Sequence, residues 1–147
     1  FIDASRGWAV GLHGIVYTTG NGGATWTSQS SGTTSDLRAV DFVDASRGWA
    51  TGRNSTILTT ANAGETWTQQ ISGDSVSLYD VTFISATKGW IVGELGTILF
   101  TNNAGVTWQP QQSGTTAWLY MVELMDEQTG WIVGDSGTVL KTTNGGF

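Results

Sequence analysis

The chain has 147 residues, six basic side chains against twelve acidic ones for a formal net charge of −6, and a composition rich in Gly (21) and Trp (8), with one Pro and no Cys. That length allows one domain with a sizeable core, while an acidic balance without a Lys/Arg cluster argues against nucleic acid or an anionic membrane surface as partner. The missing thiols exclude disulfides, thiolate metal sites and cysteine nucleophiles, and no run approaches the roughly 20 apolar residues that membrane insertion needs.

Two ladders with one step run through the chain. Gly-Trp ends at Trp8, Trp49, Trp90 and Trp131 and Thr-Trp at Trp26, Trp67 and Trp108, each neighbouring pair 41 residues apart, and the heptapeptide DASRGWA stands both at 3–9 and at 44–50. A period near 40 is the range of four-stranded propeller blades, and no 3.6-residue periodicity points to helical repeats. In chain order, residues 1–33 read as an incomplete blade, because Phe1 aligns with Phe42 and nearly all of a first strand is missing. Residues 34–73 read as a whole blade with strands LRAVDF (37–42), RGWATG (47–52), STILTT (55–60) and ETWTQQ (65–70), β-branched or aromatic and bounded by turns. Residues 74–115 repeat it as LYDVTF, KGWIVG, GTILFT and VTWQPQ, and residues 116–147 read as a second incomplete blade, stopping two residues before the Trp that the alignment of Phe147 with Ala24 predicts. The expected fold is an all-β propeller segment of about 3.5 antiparallel four-stranded blades, with the Thr-Trp strand outside the Gly-Trp strand because sheet order follows chain order.

A polar turn precedes each Thr-Trp: TGNGGATW (19–26), TANAGETW (60–67), TNNAGVTW (101–108) and the shortened TTNGGF (142–147). Asn21, Asn62, Asn103 and Asn144 can close the turn through their side chains, Gly23, Gly64 and Gly105 can take the left-handed conformation, and Trp26, Trp67 and Trp108 anchor the next strand. This pattern resembles the Asp-box, or bacterial neuraminidase repeat, with Asn where that repeat usually has Asp. Asn closes the same turn but argues against a carboxylate-bound cation there.

With L..V.F ahead of it, the longer line GWAVG..G.I..T..GG.TW, through Gly7, Trp8, Gly11, Gly14, Gly23, Trp26 and their successors, resembles the photosystem II stability and assembly factor family across essentially the whole chain. The resemblance implies a seven-bladed ring and, for photosynthetic members, chaperone-like binding of a reaction-centre subunit, attributed partly to an arginine-rich surface. This chain has four arginines, of which Arg6 and Arg47 are repeat-equivalent to each other and to Lys88, so such a surface is not evident.

Positions that obey the repeat serve the blade, and positions that break it are where function is sought. The loop between second and third strands varies as GLHG, GRNS, GELG and GDSG, giving Arg53, Glu94 and Asp135 as contact candidates. Trp118 stands where Asp36 and Ser77 do, so the blade does not demand it, and a loop Trp suits a binding anchor. Arg38, Tyr79 and Tyr120 share one position on the innermost strand and can line the channel rim. His13 has no second histidine with which to form a metal site, and no cofactor or metal is expected.

A sialidase-like enzyme needs an arginine cluster with a nucleophile and acid pair, and no Asp or Glu is marked out here for that work. A lectin-like module would display repeated exposed aromatics, whereas the repeated tryptophans occupy core-like positions. The reading is therefore a non-catalytic scaffold that binds a protein partner, exported to a periplasmic, extracellular or thylakoid-lumen-like location. The alternatives are a glycoside hydrolase or sialidase-like propeller, or a carbohydrate-binding module. The remaining blades are expected from a longer chain or from another copy, and the first is favoured because merging the two incomplete blades would duplicate their middle strands.

Overall fold

The computed structural model describes residues 1–72 and 75–146. Strands β1 (Gly7–Val10), β2 (Ile15–Thr19) and β3 (Thr27–Ser30) form a first sheet, and β4 (Leu37–Phe42), β5 (Gly48–Gly52), β6 (Ile57–Thr60) and β7 (Thr68–Gln70) a second. Strands β8 (Leu78–Phe83), β9 (Gly89–Gly93), β10 (Ile98–Thr101) and β11 (Gln109–Gln111) form a third, and β12 (Leu119–Leu124), β13 (Thr129–Gly134) and β14 (Val139–Thr143) a last. Every pairing is antiparallel and joins sequence neighbours, so each sheet is an up-and-down meander, and the expected all-β fold of partial propeller blades is what the chain adopts. The boundary expected between the two whole blades, at residues 73 and 74, lies outside the described residues.

The outer strands β7 and β11 are shorter than the sequence suggests, because the residues before them are folded into the polar turn. Thr60 Oγ1 donates to Asn62 Oδ1 (2.9 Å) and accepts the Gly64 N–H (2.9 Å), while Asn62 Oδ1 accepts the Thr66 N–H (3.0 Å). The same three bonds recur around Asn21 and Asn103. Glycine was expected to take the left-handed backbone alone. Two consecutive residues take it instead, Ala63 at φ 61° with Gly64 at 84°, and Ala104 at 61° with Gly105 at 82°. A left-handed alanine costs about 1–2 kcal/mol, and the conformation persists because it turns one carbonyl toward the preceding sheet. The Ala63 carbonyl accepts Trp8 Nε1–H (2.9 Å) and Gln29 Nε2–H (3.0 Å), and the Ala104 carbonyl accepts Trp49 Nε1–H and Gln70 Nε2–H (both 3.1 Å).

The rings that carry these donors complete the junction. Trp8 stacks on Phe42 (3.6 Å, 9°), which meets Trp67 edge-on (6.0 Å, 87°); Trp49, Phe83 and Trp108 repeat the arrangement (3.5 Å, 9°; 6.0 Å, 86°). Glycine precedes each Gly-Trp tryptophan for a separate reason: a Cβ on Gly48 would lie 2.6 Å from the Phe42 ring folded over it. Around the stack, Ile57, Leu78, Ile91 and Leu99 are buried with Trp49 and Trp108. The last junction departs from the pattern. Leu124 replaces the phenylalanine, and Trp90 tilts against Phe100 of its own sheet (4.9 Å, 45°).

Two half-buried carboxylates tie the innermost strands together. Asp41 Oδ2 accepts the Phe83 N–H (2.7 Å) and Asp80 Oδ2 the Val122 N–H (2.9 Å), each bridging to the next sheet. Burial raises both pKa values, against the pull of the backbone donors, and the Asp41 charge and Glu123 add to the rise at Asp80.

Trp108, 9% exposed, is expected to cost about 3–5 kcal/mol on truncation to Ala, and Trp26, 39% exposed, clearly less, as read by urea denaturation; equal losses would contradict the junction described. Because the folded-state pKa values of Asp41 and Asp80 lie above the ordinary value, folding takes up protons. The contribution of these two groups therefore weakens stability as pH rises through that window. Asp41→Asn and Asp80→Asn are expected to flatten that part of the stability–pH curve, measured as Tm between mildly acidic and neutral pH.

Candidate protein-binding face

Three β-bulges decide where the candidate side chains point. The register of β4, β8 and β12 against the neighbouring strand shifts between Leu37 and Ala39, between Leu78 and Asp80, and between Leu119 and Met121. The residues at the shift are Arg38, Tyr79 and Tyr120, and a bulge re-aims such a side chain out of the strand's alternation. Because β4, β8 and β12 lie side by side from sheet to sheet, the three side chains form a row. The Arg38 guanidinium sits over the Tyr79 ring at 5.2 Å, and Tyr79 meets Tyr120 edge-to-face at 5.2 Å. Trp118, just ahead of β12, lies 6.1 Å from Tyr79 with its ring tilted by 32°. Trp118 is 43% and Tyr120 44% exposed, so the row is an accessible aromatic surface.

Glu94, in the short turn after β9, fixes the middle of the row. Its carboxylate accepts the Ser77 N–H (3.0 Å) and the Tyr79 O–H (3.2 Å). The Ser77 donor chiefly lowers the Glu94 pKa, while burial and then the Glu94 carboxylate raise that of Tyr79, so an anion accepts from a neutral phenol. Arg53 is turned elsewhere, pairing with Asp36 (3.6 Å), whose pKa is lowered first by the His13 N–H and then by Arg53. Asp135 reaches Trp118 through the backbone, its N–H donating to the Trp118 carbonyl (2.7 Å). Of the sequence candidates, Arg38, Tyr79, Trp118, Tyr120 and Glu94 thus come together, Asp135 braces the Trp118 connection, and Arg53 stands with Asp36. Asn21, Asn62 and Asn103 with their glycines and tryptophans belong to the turns that join the last two strands within a sheet, and the turns of Asn62 and Asn103 reach the sheet before.

Among the described residues, Arg6, Arg47, Arg53 and Lys88 each pair with a carboxylate within 4.0 Å, whereas no such pair involves Arg38. Sequence reasoning passed over Asp36 and Met121, the latter 57% exposed beside Tyr120. The available signal was their departure from the repeat, since Met121 stands where Ala39 and Asp80 do. Asp41 and Asp80 were missed too, although each stands alone at its repeat position. Among the described residues no cluster of three or more His, Cys, Asp or Glu side chains could hold a metal, and no helix is long and apolar enough to cross a membrane.

Residues 1–74 and 70–147 each match the family model described as Photosynthesis system II assembly factor YCF48. The chain belongs to this family. Among solved structures it is similar to a YCF48 bound to a D1 peptide, with 19% identity over 96% of this chain and 60% of that one and a TM-score of 0.68. It is also similar to YCF48 from Cyanidioschyzon merolae, with 23% identity over 97% of this chain and 52% of that one and a TM-score of 0.74. An ancestral GH74 enzyme shares the fold at 15% identity and a TM-score of 0.68, over 99% of this chain and 24% of that one. The chain therefore spans about half to three-fifths of the YCF48 structures it matches. No curated protein matches it.

Trp118→Ala is expected to change stability by less than about 1 kcal/mol in chemical denaturation, since its ring stands on the surface; a loss as large as that of Trp108→Ala would make it a core residue.

Proposed function

We propose that the chain is a non-catalytic, protein-binding part of a YCF48-like propeller, whose row of Arg38, Tyr79 and Tyr120 with Trp118 receives an extended segment of a partner protein. The observation that carries this reading is the contiguous exposed aromatic surface ending in a guanidinium that, among the described residues, no carboxylate pairs with within 4.0 Å. Tyr, Trp and Arg dominate binding hot spots because large, stiff side chains bury much area at little entropic cost. The YCF48 structure with a D1 peptide supports a polypeptide ligand, and the aromatic row suits one that supplies apolar side chains to the rings and an acceptor to Arg38.

The shared fold with a GH74 enzyme favours the hydrolase alternative only at the level of architecture. The carboxylates of this face already serve backbone donors, Glu94 that of Ser77 and Asp36 that of His13, which suits bracing rather than acid and nucleophile work.

With the D1 peptide as probe in isothermal titration, Arg38→Ala, Trp118→Ala and Tyr120→Ala are each expected to weaken binding about tenfold or more, and Ser28→Ala, on β3, to leave it unchanged. Binding that survives all three changes would place the site elsewhere, and turnover of a β-glucan or sialoside lost on mutating a single carboxylate would replace the reading with an enzyme.

A further inference from the structure

Backbone strain marks one residue that the aromatic row leaves out. His13, Asn54, Leu95 and Ser136 hold one repeat position, in the turns that follow β1, β5, β9 and β13, and all are left-handed, at φ 58°, 53°, 55° and 54°. Asn and His enter that region far more readily than other side chains, because a short polar group can bond locally there, and Leu has no such bond to make. Leu95 is also 65% exposed, so burial does not offset the strain. Its turn is clamped from both sides. Glu94 N–H donates to the Ser77 carbonyl (3.0 Å), Gly96 N–H donates to the Ala117 carbonyl (2.9 Å), and a Cβ on Gly96 would run into the Thr115 carbonyl oxygen. Strain over-determined in this way, on an exposed apolar side chain, is what ligand-binding positions carry.

Leu95 stands where the row meets a groove. The bond from Gly96 to Ala117 sets Leu95 beside the connection that carries Trp118, itself 43% exposed. On its other side Leu95 lines a shallow groove of about 550 Å³ with Gln111, Gln112, Ser113, Thr115 and Thr116, of which Gln112 and Thr116 are exposed and offer both donors and acceptors. The groove belongs to the repeat. His13 lines an equivalent one of about 370 Å³ with Gln29, Ser31, Thr33 and Thr34, beside a second sheet that has all four strands. The two differ in side chains, since the groove in the third sheet has Leu95 and Trp118 where the first has His13 and Asp36.

We propose that Leu95 is a second anchor of the partner-binding face: an extended polypeptide segment lying on the aromatic row runs outward over Trp118, sets an apolar side chain against Leu95 and continues into the groove, where Gln112 and Thr116 meet its backbone amides. The inference rests on the reading of the row as a protein-binding face. It adds a specificity, because the segment must then carry an apolar residue just beyond those that the rings hold. A clamped turn presents the Leu95 side chain with little freedom left to lose on binding.

Isothermal titration with the D1 peptide, run beside thermal denaturation, tests this. Leu95→Asn introduces the residue that Asn54 already provides at this position, so the turn is kept and its strain relieved; it is expected to weaken binding about fivefold or more while Tm stays unchanged or rises. Leu95→Met keeps an apolar side chain and is expected to retain most of the affinity, and His13→Asn, the equivalent change in the first sheet, to leave it unaltered. A merely structural leucine would instead lower Tm on replacement by Asn, and that result would overturn the proposal. So would full affinity in Leu95→Asn: if Trp118→Ala still weakens binding, the row stands and the Leu95 anchor falls, and if Trp118→Ala, Arg38→Ala and Tyr120→Ala all leave affinity intact as well, the row falls with it.

Discussion

One carbonyl per junction holds the array in register: that of the residue between Asn and Gly in the polar turn, which receives a Gln amide N–H from the sheet before it at all three junctions and an indole N–H as well at the first two. Each such bond contributes about 1 kcal/mol net, and a stacked ring pair about 0.5–1.5 beyond its buried area. Burial of Ile57, Leu78, Ile91 and Leu99 contributes more, but apolar burial has no direction and would tolerate a slid or rotated sheet. The hydrogen bonds do not tolerate it. The strain of a left-handed alanine is retained because only that backbone aims the carbonyl outward from a turn closed by Thr and Asn.

The junctions are alike without being equal. Trp108 Nε1–H donates to Gln70 Oε1 at 3.4 Å, whereas the equivalent atoms one junction earlier, Trp67 Nε1 and Gln29 Oε1, are both buried without a partner. The first junction therefore lacks a bond that the second makes. In the last junction Leu124 supplies no ring and Trp90 tilts instead against Phe100 of its own sheet, while Gln111 Nε2–H still donates to the Gly145 carbonyl (2.9 Å). The Gln bond of the latch survives there although the ring stack does not, which identifies the turn carbonyl rather than the aromatic pair as the constant of the repeat.

A frame fixed in this way leaves the bulged ends of the innermost strands free to vary. Arg38, Tyr79 and Tyr120 occupy one repeat position yet differ in chemistry, and the inter-strand carboxylates of Asp41 and Asp80 hold β4, β8 and β12 at the spacing that lets their side chains touch. Arg53 shows the same loops serving the frame instead, since its charge is spent on Asp36.

The sequence by itself determined the repeat, the strand order within a sheet, the closing of the turn by Asn, and which loops break the pattern, because all of these are local or periodic and are written at fixed spacing. The innermost strand LRAVDF was legible to the residue, whereas the outer strands β7 and β11 were read too long, since a Thr-Trp pair looks like strand whether or not its residues are held in a turn. Tertiary structure alone decided that Ala63 and Ala104 go left-handed, because the reward for that strain comes from Trp8 and Trp49, each 55 residues away. It alone decided, too, that Arg38 meets Tyr79 while Arg53 meets Asp36. Contacts between sheets depend on how far each blade turns against the next, and that angle is set by ring packing and hydrogen bonds across the junction, which no spacing along the chain records.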